Sequence, residues 1–258
     1  MYDQPEFIIR NRVRIIQTTK TYIGSELDLF EKARRWKQYL SNILKPYIYG
    51  QVLEVGAGKG STTSLLLNNK VKSWCCLEPD PKLCEEIEYK IEVGALPSKC
   101  NVLCGIISDI PAEKYFDVIV YVDVLEHIAN DKAEVVLAGL HVQKEGNLII
   151  LAPAHNVLYS PFDKAIGHFR RYNRSSLSDL KPEGFTRHVC RYLDSVGLLA
   201  SLSNKLVFSS AMPTLNQVLF WDRCLVPVSI ILDRLLNYKL GKSLVSVWSN
   251  KQNCTAVN

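Results

Sequence analysis

The segment VLEVGAGKGSTTSLL, residues 52–66, constrains the fold of this chain more than any other stretch. An apolar run typical of a buried strand leads directly into glycines at three alternate positions, Gly56, Gly58 and Gly60, and a helical pattern begins at Ser61. Glycines let the backbone turn tightly and approach a ligand closely. A strand, a glycine turn and a helix in this order predict the first unit of an α/β sheet, with a ligand site at the turn.

The same alternation continues along the chain. It predicts strands at 51–55, 71–78, 101–105, 116–123, 147–152, 187–193 and 242–249, and helices at 25–45, 60–69, 81–92 and 131–141. Continuous apolar strands separated by helices indicate a parallel sheet covered on both faces. The predicted fold class is therefore α/β, with a doubly wound, seven-stranded, mostly parallel sheet.

Three segments are expected. Residues 1–50 form an N-terminal helical extension or lid, residues 51–193 and 242–250 form the ligand-binding domain, and residues 194–241 form a helical insertion between the last two strands. The insertion has amphipathic spacing, and Pro227 should break or kink its helix. An insertion of this length usually builds a cover or an interface, so we expect a lid or a homodimer contact here.

Composition excludes several classes of function. The chain has 258 residues, of which 47% are hydrophobic, and its net charge of +5 is milder than a nucleic-acid binder usually shows. The apolar stretch CLVPVSIIL is too short to span a bilayer, and no signal region stands at the N-terminus. We therefore expect a cytoplasmic protein with no transmembrane segment and no nucleic-acid partner, although the charge permits a peripheral membrane contact.

The eight cysteines include no CxxC pair and no companion histidine at zinc spacing. Cys75, Cys76 and Cys104 fall in or at the ends of predicted strands, where cysteine behaves as a small buried hydrophobe. This pattern predicts reduced structural thiols and no metal site.

Two acids flank the glycine turn and indicate the ligand. Glu54 precedes Gly56, where a carboxylate repels phosphate but suits an ammonium group. The spacing Glu-x-Gly-x-Gly-x-Gly also differs from the Gly-x-Gly-x-x-Gly of a pyrophosphate site, which disfavours a nicotinamide oxidoreductase. Glu78 ends the next strand, where an acid can bond both hydroxyls of a ribose. A ligand with a ribose and an amino-acid group but no phosphate is S-adenosylmethionine; the alternative is a tight turn followed by an exposed strand-end acid.

These motifs resemble those of the class I S-adenosylmethionine-dependent methyltransferases. EVGAGKG resembles the first motif of that superfamily, Glu78 its ribose acid, CGIISDIP the segment that holds the adenine, and FDVIVYVDVLEHI the fourth strand with its turn. RRWKQYL, LEPDP, VLEHI and GHFRRY together resemble a group of bacterial small-molecule methyltransferases. The resemblance covers residues 50–193 and the final strand, and it implies a Rossmann-like sheet and S-adenosylmethionine as cofactor.

Ile106 stands where many relatives carry an acid, so recognition of the adenine would pass to the backbone of Ile107 or to Ser108 and Asp109. The residues expected to hold the cofactor are Glu54, Gly56, Ala57, Gly58, Gly60, Thr62, Glu78, Pro79, Ile107, Ser108, Asp109, Asp123 and Val124.

The connections after the fourth and fifth strands should face the methyl acceptor, because ligands bind beyond the carboxyl ends of the strands. The second of these, PAHNVLYSPFDKAIGHFRRYN (153–173), combines histidines, an acid, adjacent arginines and aromatics. Histidine can accept a proton near neutral pH, and a nearby aspartate can orient it. The candidate catalytic residues are His127, His155, Asp163 and His168, each of which has a structural alternative.

The arginines of this connection either clamp an anionic group of the substrate or pin the loop by salt bridges. Two aromatics of the N-terminal helix form a lid or simply pack against the sheet. The residues expected to bind substrate are Trp36, Tyr39, Tyr159, Arg170, Arg171 and Tyr172, while Glu126 is assigned a structural role.

The predicted function is transfer of a methyl group from S-adenosylmethionine to oxygen or nitrogen of a small molecule, such as a natural product, a sugar or a lipid-linked metabolite. One alternative is a methyltransferase-like binding or scaffold protein without turnover. Another is an RNA methyltransferase, which is disfavoured because DVLEHI stands where an Asn-Pro-Pro-aromatic motif or a Pro-Cys nucleophile would follow the fourth strand.

Overall fold

The computed structural model of the chain describes residues 25–207 and 213–251. Residues 1–24 of the predicted N-terminal extension, residues 208–212 of the insertion and Cys254 lie outside the described residues. The seven cysteines of the described residues are free thiols, which agrees with the prediction for them.

Seven strands form one sheet in the described part of the chain. They are β1 Gly50–Val55, β2 Val71–Glu78, β3 Cys100–Cys104, β4 Phe116–Val122, β5 Val142–Pro153, β6 Phe185–Leu193 and β7 Ser243–Asn250. Their order across the sheet is β3-β2-β1-β4-β5-β7-β6. β1 to β5 pair in parallel, and β7 runs antiparallel to both β5 and β6. The predicted doubly wound, mostly parallel sheet is confirmed.

The described helices lie around this sheet. They are α1 Ser25–Glu31, α2 Arg34–Leu44, α3 Ser61–Leu66, α4 Pro81–Glu92, α5 Asp131–Leu140, α6 Pro161–Ala165, α7 Arg174–Ser178, α8 Ser195–Val207, α9 Leu215–Phe220 and α10 Val226–Leu235. Short 3₁₀ turns follow several strands, at Ile107–Asp109, Leu125–His127 and Asn156–Leu158.

The sheet is buried on both faces, as its continuous apolar strands predict. Leu53 and Ile119 belong to the core on one face, and their chain neighbours Val52 and Val118 belong to the core on the other. Strand order reverses beside β1, since the chain passes from β1 outward to β2 and β3 and then returns to β4 on the other side. A crevice forms at such a point, beyond the carboxyl ends of β1 and β4.

The N-terminal helical segment differs from the prediction because it is two helices, α1 and α2, rather than one over 25–45. The chain breaks at Ala33, whose amide donates to the carbonyl of Phe30 (3.1 Å). Ala33 is fully buried against Val218, Trp221 and Val226 of the insertion. The break therefore lets the N-terminal helices follow the surface of the insertion.

The insertion contains α8, α9 and α10, with a π-helical turn at Trp221–Leu225 between the last two. Pro227 does not end the helical run: it stands in the first turn of α10, directly after the π-helical turn, where a missing backbone N–H is tolerated. The helical run Leu215–Leu235 has 21 residues, and an 18-residue window within it has a mean hydropathy of 1.3, so by length and composition alone the helix is long and apolar enough to cross a membrane. The expectation of no such segment considered only the shorter stretch within this run.

Hydrogen bonds join the N-terminal helices to the insertion. The Trp36 amide donates to Asp222 Oδ1 (2.9 Å), and the Tyr39 hydroxyl donates to Asp233 Oδ2 (2.8 Å). Both aspartates are buried, with 3% and 0% of their surface exposed. The two segments, which are far apart in sequence, therefore form one cover beside the crevice.

Candidate active site

A cleft of about 2430 Å³ opens above the carboxyl ends of β1, β2, β4 and β5. The connections that follow these four strands form its floor, and Phe30, Trp36 and Trp221 of the helical cover form part of its wall. This is the crevice that the reversal of strand order creates. Trp36 therefore lines the cleft, as the lid alternative for this residue requires.

The glycine turn forms one end of the cleft. Gly56, Gly58 and Gly60 have φ angles of +69°, +56° and +73°, which L side chains rarely adopt. A Cβ atom on Gly56 would lie 2.6 Å from Val124 Cγ2, closer than any real contact. The turn thus needs glycine both for its backbone angles and for its close approach to the connection after β4.

Glu78 lies beside this turn and is 5% exposed. Its Oε2 accepts a hydrogen bond from the Gly58 amide (2.8 Å), and its Oε1 accepts one from the Asp80 amide (3.1 Å). Burial raises the pKa of this carboxyl, although the two amide bonds oppose the shift. Each oxygen keeps a second acceptor position, so the side chain is held in place and still able to bond a diol.

Most of the residues predicted to hold the cofactor line the cleft. They are Gly56, Ala57, Gly58, Thr62, Glu78, Pro79, Ile107, Ser108, Asp123 and Val124. Glu54, Gly60 and Asp109 are not among the lining residues. Gly60 instead precedes α3 as its N-terminal cap residue.

Glu54 points into the core rather than the cleft, contrary to the expectation that its carboxylate meets an ammonium group. Its Oε2 accepts hydrogen bonds from the Thr63 hydroxyl and from Trp74 Nε1, the latter at 2.9 Å. Burial raises the pKa of this carboxyl to about 7, even though these two bonds favour the charged form. Successive side chains of a strand point to opposite faces of the sheet. The motif by itself does not show which face Glu54 occupies.

Asp109 stabilises the 3₁₀ turn that follows β3. Its Oδ2 accepts the amide of Ile106 (2.9 Å) and so caps the 3₁₀ turn. Ile106 itself lines the cleft with 46% of its surface exposed. This position therefore presents an apolar side chain to the cleft.

The connection after β5 folds back onto the sheet. The Tyr172 amide donates to the Pro153 carbonyl (2.8 Å), and the His155 amide donates to the Tyr172 carbonyl (2.7 Å). Farther along, the Phe169 amide donates to the Glu126 carbonyl (2.8 Å). These bonds bring the connection after β5 against the connection after β4.

Asp163 is the centre of this connection and is fully buried. Its Oδ1 lies 2.8 Å from His168 Nδ1 and accepts from Arg171 Nε at 2.8 Å. Its Oδ2 accepts from Arg171 Nη2 and from both the amide and the hydroxyl of Ser160, each at 2.9 Å. Burial alone would raise the pKa of Asp163, but the bonds from His168 and Arg171 outweigh it and hold the pKa below its ordinary value. Asp163 thus orients His168, and Arg171 lines the cleft while anchored to this acid.

His155 does not face the cleft as predicted. Its Nε2 lies 3.1 Å from the carbonyl oxygen of Gly241, and its ring stacks on Tyr192 with centroids 4.7 Å apart. The backbone of His155 has a positive φ of 63°, which turns the side chain towards the start of β7. The prediction that the ring faces the cleft applies to a backbone with negative φ, and the sequence does not show that φ is positive at this position.

Four of the predicted substrate residues also serve the fold rather than line the cleft. Arg170 forms a salt bridge with Asp131 (2.6 Å), and the Tyr172 hydroxyl donates to the same carboxylate (2.8 Å). The Tyr159 hydroxyl donates to a backbone carbonyl of its own connection, and Tyr39 is bonded to the insertion. Arg170 therefore matches the loop-anchoring alternative and not the anion clamp.

Glu126, His127 and His168 lie together in the cleft wall. The two imidazole centroids are 4.5 Å apart, and His168 Nε2 is 3.7 Å from Glu126 Oε1. Burial, and then the neighbouring His168, lower the pKa of His127 to about 4, which leaves this ring neutral at physiological pH. Burial raises the pKa of the fully buried Glu126 well above its ordinary value.

Sequence reasoning missed two residues of the cleft. The sequence predicts only a structural role for Glu126. It directly precedes a histidine just after a strand, and this pairing is the signal by which it could have been identified as a cleft residue. Lys242, at the start of β7, lines the cleft with its Nζ 3.3 Å from Asp194 Oδ2 and 3.8 Å from the centre of the Trp221 ring. Nothing in its sequence context marks it.

The sheet order, the glycine turn against the connection after β4 and the strand-end acid of β2 define a class of protein. Residues 52–143 match the family described as a methyltransferase domain, and the resemblance of these motifs to the class I S-adenosylmethionine-dependent methyltransferases is confirmed. The cofactor of this domain is S-adenosylmethionine, which the cradle of Gly56, Gly58 and Glu78 fits.

Solved structures share this architecture. A candidate sarcosine dimethylglycine methyltransferase from Galdieria sulphuraria is 16% identical, with 85% of this chain and 86% of that chain covered and a TM-score of 0.57. An S-adenosylmethionine-dependent methyltransferase from Clostridium acetobutylicum is 11% identical, with 89% and 99% covered and a TM-score of 0.56. The N-methyltransferase NodS from Bradyrhizobium japonicum, in complex with S-adenosyl-L-homocysteine, is 11% identical, with 86% and 88% covered and a TM-score of 0.53. At such identities the likeness shows the fold, and no curated protein matches the sequence.

Proposed function

We propose that the chain is an enzyme that transfers a methyl group from S-adenosylmethionine to a small molecule bound in the same cleft. The observation that carries this proposal is the shared cleft itself. The glycine cradle and Glu78 line one part of it, while Glu126, His127 and His168 line another. An enzyme for direct methyl transfer needs the donor and acceptor sites next to each other, because alignment supplies most of its rate enhancement.

Each part of the cradle has a role towards the cofactor. The free acceptor positions of Glu78 suit the ribose hydroxyls, and Ile106 with Ile107 offers an apolar surface to the adenine. Asp123 is exposed to the cleft at the end of β4, and its carboxylate suits the ammonium group that Glu54 does not reach. When bound, S-adenosylmethionine supplies a methyl group that its sulfonium already activates.

The part of the cleft proposed to hold the acceptor combines a polar group, His168, with apolar side chains. His168 is fixed by Asp163, whose ionised carboxylate only accepts hydrogen bonds, so Nδ1 is the donor in this bond and Nε2 is the nitrogen left to act on an acceptor. Phe30, Trp36 and Trp221 line the more distant wall. This wall suits an acceptor with an apolar body and one polar group, and we propose methylation at oxygen or nitrogen.

The experiment that tests the function has two stages. S-adenosylmethionine binding is measured by calorimetry, with Gly56→Ala as a variant that obstructs the cradle and Gly94→Ala as a control, since no heavy atom lies within 4 Å of a Cβ on Gly94. Methyl transfer is then measured with labelled cofactor and fractionated small-molecule extracts. Absence of binding to the wild-type protein would overturn the proposal. Binding without transfer to any fraction would instead favour a scaffold protein.

A further inference from the structure

We propose that Glu126, His127 and His168 bind a divalent first-row transition metal ion in the wall of the cleft. Each residue offers one ligand atom, and these atoms lie within 4.8 Å of one another. An ion about 2.1 Å from each atom needs ligand atoms about 3 to 4 Å apart, so small side-chain rotations complete the site. Glu126 Oε1 and His168 Nε2, at 3.7 Å, already have this spacing.

The carboxylate of Glu126 supplies an observation independent of the spacing. It is fully buried, and within the described residues neither of its oxygens accepts a hydrogen bond from another residue. Burying a carboxyl without partners is costly in either protonation state, because the ionised form lacks a countercharge and the neutral form has an O–H with no acceptor. Its Oε1 faces His168 Nε2, so a cation at that point would satisfy it.

The nearby cation Arg171 does not solve this problem. Its guanidinium is bonded to Asp163 through two nitrogens, at 2.8 and 2.9 Å. Asp163 therefore has its countercharge, while Glu126 has none in direct contact. The charge of Glu126 is therefore the one in this cluster that a further cation would balance.

Both histidines are also held as metal-binding histidines usually are. A ligating imidazole generally donates its second N–H to a carboxylate or a backbone carbonyl, which fixes the ring and its tautomer. His168 Nδ1 is held by Asp163 (2.8 Å), and His127 has a hydrogen bond with the backbone of Ile166. The fold therefore fixes the orientation of each ring, and each ring offers one nitrogen as a ligand atom to the shared site.

The donor set indicates the class of metal. Two imidazole nitrogens favour zinc, iron, cobalt or nickel over magnesium or calcium, which prefer oxygen. Two histidines and one carboxylate are also the ligands of catalytic sites that keep positions open for substrate. The residues lie in the cleft wall, so the open positions would face the bound acceptor.

This site deepens the proposed function, on which its catalytic role rests, and it selects a hydroxyl as the acceptor. A divalent ion held there would lower the pKa of a coordinated hydroxyl, whose proton would pass to water. The oxygen would then form its bond to the methyl carbon as the bond from carbon to sulfur breaks, leaving the methyl ether and S-adenosylhomocysteine. The histidine lone pairs then hold the ion rather than take the proton.

The test measures metal binding without cofactor. The full-length protein, stripped with EDTA, is titrated with Co²⁺ while visible absorption is recorded, and Zn²⁺ is used to displace it. We expect one Co²⁺ per chain with nitrogen and oxygen ligands. Glu126→Gln and His168→Ala should each weaken binding at least about 100-fold, since even outer residues of metal sites commonly contribute 10- to 100-fold.

His188→Ala is the matched control, because His188 is an exposed histidine on β6 outside the cleft, and its affinity should stay within about twofold. Thermal unfolding verifies that each variant folds, and Glu126→Gln, which keeps the side-chain shape, carries the test if His168→Ala does not fold. Absence of stoichiometric Co²⁺ binding, equal binding by Glu126→Gln, or a thiolate-to-cobalt absorption band would overturn the metal site.

Calorimetry with S-adenosylmethionine in EDTA separates the two proposals. If metal binding fails while cofactor binding is intact, only the metal site is wrong. If cofactor binding fails while Co²⁺ binds at this cluster, the methyltransferase activity is wrong and the metal site stands.

Discussion

The bond between Asp163 and Arg171 determines whether the connection after β5 keeps its shape, and Asp163→Asn tests this. The carboxylate is fully buried and the Arg171 side chain is 13% exposed. The substitution keeps the volume of the side chain but removes its charge. It leaves the guanidinium of Arg171 opposite a neutral amide, whose single oxygen accepts hydrogen bonds from only some of the guanidinium N–H groups.

The expected cost follows from the burial of the pair. Removal of one partner from a buried ion pair costs about 3 to 5 kcal/mol, because the other charge remains without compensation. Arg171 keeps some contact with solvent, so we expect the lower end, about 3 kcal/mol of the free energy of unfolding. For a domain of marginal stability this is a large fraction of the total.

Urea unfolding of Asp163→Asn, Arg171→Met and the double variant measures the coupling between the two side chains. Each single variant should lose about 3 kcal/mol, and the double variant should lose less than their sum by about 2 kcal/mol, because it leaves no isolated charge. Asp179→Asn, at an exposed carboxylate just after α7, should change stability by less than about 0.5 kcal/mol. A coupling below about 0.5 kcal/mol would refute the reasoning.

Three further predictions address other parts of the domain. Burial raises the pKa of Glu54 to about 7, so the folded state holds a proton that the unfolded chain releases at lower pH. The contribution of Glu54 to stability is therefore complete below its unfolded pKa and is lost as pH rises through about 7. The loss is at most about 3 kcal/mol. It is measured as the change, between pH 5 and 8, in the difference between the urea midpoints of wild type and Glu54→Gln. Gly56→Ala should lower stability by about 2 to 4 kcal/mol through its positive φ and its clash with Val124, and Val124→Ala should recover the steric part in a double-mutant cycle; additive effects would contradict the predicted clash. Tyr39→Phe removes the buried bond between the N-terminal helices and α10 and should cost about 1 to 2 kcal/mol in thermal or urea unfolding, whereas Tyr89→Phe at an exposed site should cost almost nothing; equal effects would mean that the bond contributes nothing to the cover.

Patterns confined to one segment allowed correct predictions from sequence. Helix α4 begins and ends at its predicted residues, because Asp80 accepts the amide of Lys82 as an N-terminal cap and Pro81 fits the first turn. The strands followed from their apolar runs and the cofactor turn from its glycines. Each of these signals is a short-range preference that the chain carries wherever it folds.

Predictions that depended on the direction of a single side chain succeeded less often. Glu54 and Glu78 both lie near the carboxyl ends of neighbouring strands, yet Glu54 faces the core and Glu78 faces the cleft. His155 and His168 belong to one connection, yet a positive φ turns His155 away while Asp163 holds His168 in place. These directions depend on backbone angles and on partners distant in sequence.

Periodicity and glycine spacing are local properties, and from them the α/β class, the glycine turn and the polar connections after β4 and β5 could be predicted. The convergence of Glu126, His127 and His168, the anchoring of a loop by Arg170 and Arg171, and the joining of the N-terminal helices to the insertion became visible only in the folded chain. Glu126 and His168 are 42 residues apart in sequence and belong to different connections. The hydrogen bond from the Phe169 amide to the Glu126 carbonyl brings these connections together. Contacts of that kind exist only once the parallel strands β4 and β5 have paired and placed their carboxyl ends side by side.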